Sequence, residues 1–236
     1  MAKPTPDGVY RKVADGPTAG LQRLEFHVTT LLPGHISHPP HHHPQEELVL
    51  LHDGTLEATV NGKSQQIGAG SLLFFAAHDM HNVRNVGTTP ATYYVINFYT
   101  AATMAVRNQP AHEWAPPGLQ PSSVIDWNQL EPKVAAAETR RQLIDSPTLT
   151  FKHLEIHATT VPAGAAESKP HQHPWPMLVV MQEGCMEAKV DGVAGLVGPG
   201  SVLFIAANAV QSMRNHWELP ATYFVFSVVS DGVPTS

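Results

Sequence analysis

Apolar residues come in short runs along this chain. Examples are LVLL (48–51), LEATV (56–60), SLLFFAA (71–77) and TYYVINFY (92–99). Turn residues separate them: DG at 53–54, NG at 61–62 and GAG at 68–70. Short β-branched and aromatic runs punctuated in this way predict strands. The pair Asn61-Gly62 predicts a type I′ hairpin, because both central positions of that turn need positive φ. Asp191-Gly192 repeats the signal in the second half. Roughly six to eight short strands per half, at roughly 8–12-residue spacing, indicate a sandwich or barrel. The segment VAAAETRRQL (134–143) is the exception, and its composition predicts an opening helical turn.

The two halves are copies. Sliding the sequence by 130 residues aligns 11–95 with 141–225 without a gap, and 35 of those 85 positions are identical. LEFHVTT meets LEIHATT, PHHHP meets PHQHP, GAGSLLFFAA meets GPGSVLFIAA, and PATYYV meets PATYFV. An internal duplication follows. Residues 108–133 have no counterpart and are rich in proline, which reads as an extended crossover between domains. Trp114 and Trp127 are expected to anchor it, since large aromatics are seldom left in water. The expected layout is a first domain at 1–107, a crossover at 108–137 and a second domain at 138–236.

Composition narrows the function. Charged residues are only 14% of the 236, whereas Pro (21) and Gly (17) are frequent, which suits turns better than long surface helices. A net charge of −6 without a basic stripe argues against nucleic acid as a partner. The single cysteine, Cys185, cannot form an intrachain disulfide, so the fold does not need an oxidising compartment. No apolar run is long enough to cross a membrane as a helix. We therefore expect a cytoplasmic protein with a small-molecule partner, no membrane association, and a homodimer through paired strand edges.

The unusual feature is histidine. There are 15, and nine lie between His27 and His81. In PGHISHPPHHHPQEELVLLHDG, residues His41, His43 and Glu47 share one parity. On an extended strand all three would project to one face. His81 is a fourth candidate. Imidazoles with one carboxylate suit a divalent ion such as Fe, Mn, Ni, Cu or Zn, and such sites usually keep positions free for a guest.

The string His41-x-His43-xxx-Glu47-xxxxxx-Gly54, followed by Gly70 and by His81-xxx-Asn85, resembles the paired motifs of the cupin superfamily. Gly164, Gly184, Gly200 and Asn215 repeat the framework, so the whole chain resembles a bicupin. The resemblance implies an all-β protein of two tandem antiparallel jelly-roll barrels. It also implies one divalent metal ion held by His41, His43, Glu47 and His81. It implies no single reaction, because one fold hosts many.

The neighbouring polar residues read differently. His42 and Glu46 have the opposite parity and are expected outside; His35, His38 and His78 are expected at the surface, with His78 the best candidate for a pocket rim. In the second copy His171 and His173 persist, but Met177 stands for Glu47 and Gln211 for His81. Three readings remain open: a metal-free barrel kept for packing and dimer contacts, a weak altered site of His171, His173 and Gln211, or a softer copper site with Met177. Trp175 and Pro176 make the entrance to that barrel apolar. Residues common to both copies (Glu25/Glu155, His27/His157, Arg84/Arg214, Asn85/Asn215) are expected to serve the fold, with His27 as a pocket residue the alternative.

The leading functional expectation is a mononuclear metal enzyme working in the first barrel. Its substrate would be a small phenolic, enolic or keto-acid compound, or a sugar derivative. The wall around it is expected to be Leu48, Leu72, Phe74, Phe75, Tyr94 and Ile96. A dioxygenase is favoured; a metal-dependent isomerase, lyase or hydrolase, and a non-catalytic binding bicupin, are the alternatives. No catalytic residue beyond the ligands stands out.

Overall fold

The computed structural model describes residues 2–18, 20–111, 117–135 and 137–230. It is nearly all β, and the chain clusters into two units. One is Met1–Gln129 with Pro147–Lys152; the other is Leu130–Ser146 with His153–Ser236. The boundary between the units within the crossover falls at Gln129/Leu130. The reason is local pairing within the first unit. Ser123–Ile125 forms a strand on its sheet, and Trp127 donates its backbone N–H to Ser71 Oγ at 3.0 Å. Trp114 lies outside the described residues.

The first unit contains β1 (Ala2–Thr5), β2 (Gly8–Gly16), β3 (Arg23–Leu31), β4 (Glu46–Asp53), β5 (Thr55–Val60), β6 (Lys63–Gly68), β7 (Leu72–Phe75), β8 (His81–Asn85) and β9 (Ala91–Tyr99). A short helix, α1 (Ala101–Val106), and β10 (Ser123–Ile125) follow. All pairings are antiparallel. The order β1-β2-β3-β9-β4-β7-β10 makes one sheet and β6-β5-β8 the other, the two faces of a jelly-roll barrel. The helix had no sequence signal beyond its cap, where Thr100 and Thr103 satisfy each other's backbone N–H groups in a capping box.

The second unit repeats the plan. It has β11 (Lys133–Val134), β12 (Thr139–Ser146), β13 (His153–Val161), β14 (Met177–Glu183), β15 (Met186–Val190), β16 (Val193–Val197), β17 (Val202–Ile205), β18 (Gln211–Arg214) and β19 (Ala221–Val229). Their order is β11-β12-β13-β19-β14-β17 and β16-β15-β18. The helical turn expected within 134–143 is absent among the described residues. That stretch enters β11 and β12, where Thr139 to Gln142 pair residue by residue with β13, and ladder hydrogen bonds override weak helix propensity.

The predicted hairpins are present. Asn61 and Gly62 have φ of 47° and 78°, Asp191 and Gly192 48° and 82°, all in the left-handed region. Val60 pairs with Lys63 and Val190 with Val193 across these two-residue loops. Gly54 is required for a second reason. Its φ is 93°, and a Cβ there would stand 2.6 Å from Ala91 Cα, so only glycine lets the β4–β5 turn lie against β9.

Register fixes which side chains face inward. Glu47 pairs with both Asn97 and Phe75, Val49 with Val95, and Leu51 with Tyr93. The period of two then puts these residues on the interior face. Val49, Leu51, Leu56, Phe75, Tyr93 and Val95 belong to one buried cluster. The expected wall of Leu48, Leu72, Phe74, Phe75, Tyr94 and Ile96 is thus corrected. Only Phe75 shares the Glu47 face; the other five lie on the opposite face, where Leu48 pairs with Phe74 and Ile96 and Leu50 with Leu72 and Tyr94, and are buried there.

Candidate metal centre

His41 and His43 are not on a regular strand. β4 begins only at Glu46, so the parity argument does not explain the convergence. What brings the residues together is an isolated antiparallel bridge between His41 and His81. His41 N–H donates to His81 O at 3.1 Å and His81 N–H to His41 O at 2.9 Å. His81 opens β8 on the small sheet, while Glu47 sits on β4 of the large sheet, so the group spans the barrel interior.

The ligand atoms of His41, His43 and His81 lie within 4.8 Å of one another. Glu47 completes the group: Oε2 is 3.4 Å from His43 Nε2 and Oε1 is 3.8 Å from His81 Nε2. The tautomers are set from behind. Each Nδ1 faces a backbone carbonyl: His41 that of Pro39 (3.2 Å), His43 that of Gln45 (2.9 Å) and His81 that of Asp79 (2.8 Å). A carbonyl only accepts, so each Nδ1 carries the proton and each Nε2 presents a lone pair. Phe75 stacks on the His81 ring at 4.2 Å and 14°, which fixes its plane.

This donor set fits a metal ion. The Nε2 atoms of His43 and His81 are buried and have no hydrogen-bond partner. Two lone pairs are thus taken out of water beside a carboxylate, an arrangement that is costly unless a cation receives them. The electrostatics agree. Burial, with the neighbouring His43, lowers the His81 pKa to about 4, so its imidazole is neutral. Burial alone would raise the Glu47 carboxyl, but the adjacent His43 and the other nearby imidazoles hold it below the ordinary value. For His43, burial is outweighed by the adjacent Glu47 carboxylate, and its pKa rises.

A cavity of about 450 Å³ opens onto the group. His41, Glu47 and His81 line it, with Val49, Phe75, Val83 and Val95 as its apolar wall and Tyr10, Tyr93 and Asn97 as polar points. Tyr93 and Asn97 were missed in the sequence. The signal was present, since they share parity with Val95, but it needed the β4–β9 register.

Two neighbours, His78 and Glu46, depart from expectation. His78, expected at the rim, is 2% exposed and absent from the cavity wall, with Nε2 on the Val106 carbonyl (2.8 Å). His38 lies at the rim instead, its ring 5.3 Å from that of His41. Glu46, expected outside, is 1% exposed. It accepts hydrogen bonds from Thr148 Oγ1 (2.6 Å), Leu149 N (3.0 Å) and Thr150 Oγ1. His42 is exposed as expected, 3.2 Å from His78, and His35 meets Asp7 at 2.9 Å. His27 does two things: it holds Glu25 at 2.8 Å and it lines the cavity.

The second barrel repeats the scaffold without the donor set. His171 and Gln211 form the equivalent bridge, and their Nε2 atoms are 3.4 Å apart. The His171 and His173 rings are 5.1 Å apart. Met177 is packed in an apolar cluster with Val179, Ile205, Ala209 and Val225. Asn85 and Asn215 serve the fold in both copies. Each buried amide donates to the carbonyls before and after its turn, Leu31 and Thr89 in one case and Val161, Pro162 and Leu219 in the other.

Comparison with known proteins agrees with this geometry. Residues 27–97 match the family model described as Cupin domain. AerE from Microcystis aeruginosa superposes with a TM-score of 0.73 at 13% identity, covering 98% of each chain. An oxalate decarboxylase from Lactobacillus farciminis, in a formate complex, gives 0.70 at 17% identity over 98% of this chain and 86% of its own. Protein Ylba from E. coli gives 0.74 at 11% identity over 100% and 89%. The curated proteins give no sequence match. Two jelly-roll barrels, with a histidine group inside the first that could hold a metal ion, define a tandem-barrel protein. The first barrel, which holds the matched segment, has the cupin fold, and the second barrel repeats it. Among the described residues, no helix is long and apolar enough to cross a membrane.

Proposed function

We propose that the first barrel is the active site of a metal-dependent enzyme that acts on a small oxygen-bearing substrate with an apolar body. The observation that carries this reading is the pair of buried, unpartnered Nε2 atoms of His43 and His81 beside the Glu47 carboxylate. His41, His43, Glu47 and His81 would hold one divalent ion. When bound, that ion supplies a Lewis acid and, if it is Fe, Mn, Ni or Cu, redox capacity.

The chain's own residues do the rest. Val49, Val83 and Val95 exclude water from around an apolar ring or chain. Tyr93, whose pKa is raised by burial, keeps its proton and offers a hydroxyl donor at the wall. His27, held by Glu25, faces the cavity as a polar group for the substrate's far end.

Within this class a dioxygenase acting on a phenolic or enolic compound is the favoured reaction, because the wall is apolar. A non-oxidative lyase reaction is the second reading. One of the similar folds is a Bacillus subtilis oxalate decarboxylase with Mn(II) centres (TM-score 0.70, 16% identity, 98% of this chain and 75% of its own). The test is metal analysis of the purified protein, followed by oxygen-electrode and anaerobic assays with phenolic, enolic and 2-keto acid compounds. Oxygen uptake that needs substrate supports the dioxygenase; turnover without oxygen supports the lyase. A protein that takes up no metal would overturn both.

A further inference from the structure

The second barrel has lost the acid and one imidazole, yet it has not closed up. Its interior holds a cavity of about 930 Å³, about twice that of the first barrel and within the size range of drug-sized ligand pockets. Two interior side chains are smaller in this copy. Val161 stands where Leu31 stands, and Ile205 replaces Phe75, the ring that stacks on His81.

The new wall has a definite chemistry. Met177, Met186 and Met213 line it together with Trp175 and Tyr223. Thioether sulfurs and indole faces make favourable contacts with aromatic rings, and unbranched methionines adapt their shape to a flat guest. One polar anchor points the same way. The Nε1 of Trp175 is buried and has no hydrogen-bond partner. An indole N–H only donates, so what it lacks is an acceptor. Three of the ionic groups on this wall engage one another: Glu155 accepts from Arg140 at 2.7 Å and meets His157 at 2.7 Å.

We infer that the second barrel binds a small planar aromatic molecule bearing a hydrogen-bond-accepting oxygen, without a metal, between the methionines and with that oxygen on the Trp175 indole N–H. This site is independent of the metal reading of the first barrel.

The test uses 2-naphthol as probe, with naphthalene as its analogue lacking the oxygen. Both are titrated calorimetrically into the full chain with excess chelator present, so that no metal can bind the phenol. Saturable one-to-one binding of 2-naphthol, stronger than that of naphthalene, is expected. Val225→Trp fills the second cavity and should abolish binding, whereas Val95→Trp, its counterpart in the first barrel, should not. Trp175→Phe should weaken 2-naphthol about tenfold, the loss of one hydrogen bond, and leave naphthalene unchanged. If Val225→Trp fails to fold by circular dichroism, the Trp175→Phe comparison decides. No saturable binding, loss in Val95→Trp with retention in Val225→Trp, or equal weakening of both probes by Trp175→Phe would each overturn the proposal.

Discussion

His41 and His81 exchange both of their backbone hydrogen bonds, at 3.1 and 2.9 Å, although they are 40 residues apart in sequence. The same bridge joins His171 to Gln211 in the second barrel. The backbone therefore holds the position whatever side chain it carries, and the two barrels differ in chemistry rather than in scaffold. His81→Ala should accordingly leave the bridge and the fold intact while removing an imidazole from the metal group. Elemental analysis should show bound metal falling to a small fraction of the wild-type amount, with an unchanged circular dichroism spectrum. Full metal retention in the variant would contradict the assignment of His81.

Asn85 should matter for stability rather than for metal. Its side chain is fully buried and makes three hydrogen bonds: to the Leu31 and Thr89 carbonyls, and from the Gly87 N–H. Asn85→Ala strands two carbonyls and one N–H in the interior. A loss of about 2–4 kcal/mol is expected in urea unfolding, given about 1–3 kcal/mol for each buried group left unsatisfied, partly relieved by water.

Glu46 offers a second stability test. Its carboxylate receives the Thr148 and Thr150 hydroxyls and the Leu149 N–H, all inside the first unit, and burial raises its pKa. Glu46→Ala removes the acceptor of three hydrogen bonds and opens a cavity. We expect destabilisation of about 2 kcal/mol or more and faster proteolytic cleavage within 147–152. An unchanged cleavage rate would show that this segment is held by other contacts, such as the Phe98–Phe151 ring pair at 5.2 Å.

The acid stability of the second barrel should depend on Glu155. Burial opposes ionisation there, but His157, Gln142 and Arg140 lower its pKa from the ordinary 4.5 to about 2. Because the folded value lies below the unfolded one, Glu155 contributes its full stabilisation above pH 4.5. That contribution is lost as pH falls from 4.5 towards 2. At about 1.36 kcal/mol per unit the upper bound is about 3.4 kcal/mol, reduced by solvent screening at this partly exposed group. Unfolding followed between pH 2 and 6 should therefore show a shallower acid decline in Glu155→Gln than in wild type. Parallel curves would remove Glu155 from the account.

Much of this was legible in the sequence, though not always for the right reason. The duplication, the strand class and the hairpins at Asn61-Gly62 and Asp191-Gly192 follow from local pattern, and the structure repeats them. Motif spacing picks out His41, His43, Glu47 and His81, which the structure brings together. The strand-parity argument for them fails, because His41 and His43 precede β4 and are placed by the long-range bridge to His81. The wall residues were assigned to the wrong face for a related reason. Both sides of the large sheet are buried, so Leu48 and Val49 look alike in hydropathy, and only the pairing of Glu47 with Asn97 and Phe75 says which points inward. Glu46 was misplaced because a lone acidic residue beside a strand usually reads as exposed; its partners lie 102 or more residues away.

Glu47 carries the last prediction. It is the single anion among four donors, and its oxygens sit 3.4 and 3.8 Å from the Nε2 atoms of His43 and His81. A divalent ion brings two positive charges into a largely buried site, and the carboxylate offsets one of them. Glu47→Gln keeps the shape and removes the charge. Metal affinity measured by chelator competition should fall by at least about 10–100-fold, the range seen when even outer partners of metal ligands are changed. The second barrel has already undergone the corresponding change, to Met177, so it should take up no metal when the first site is disabled. A Glu47→Gln, His81→Ala double variant that still carries stoichiometric metal would place the ion elsewhere, with His171, His173 and Gln211 the first residues to test.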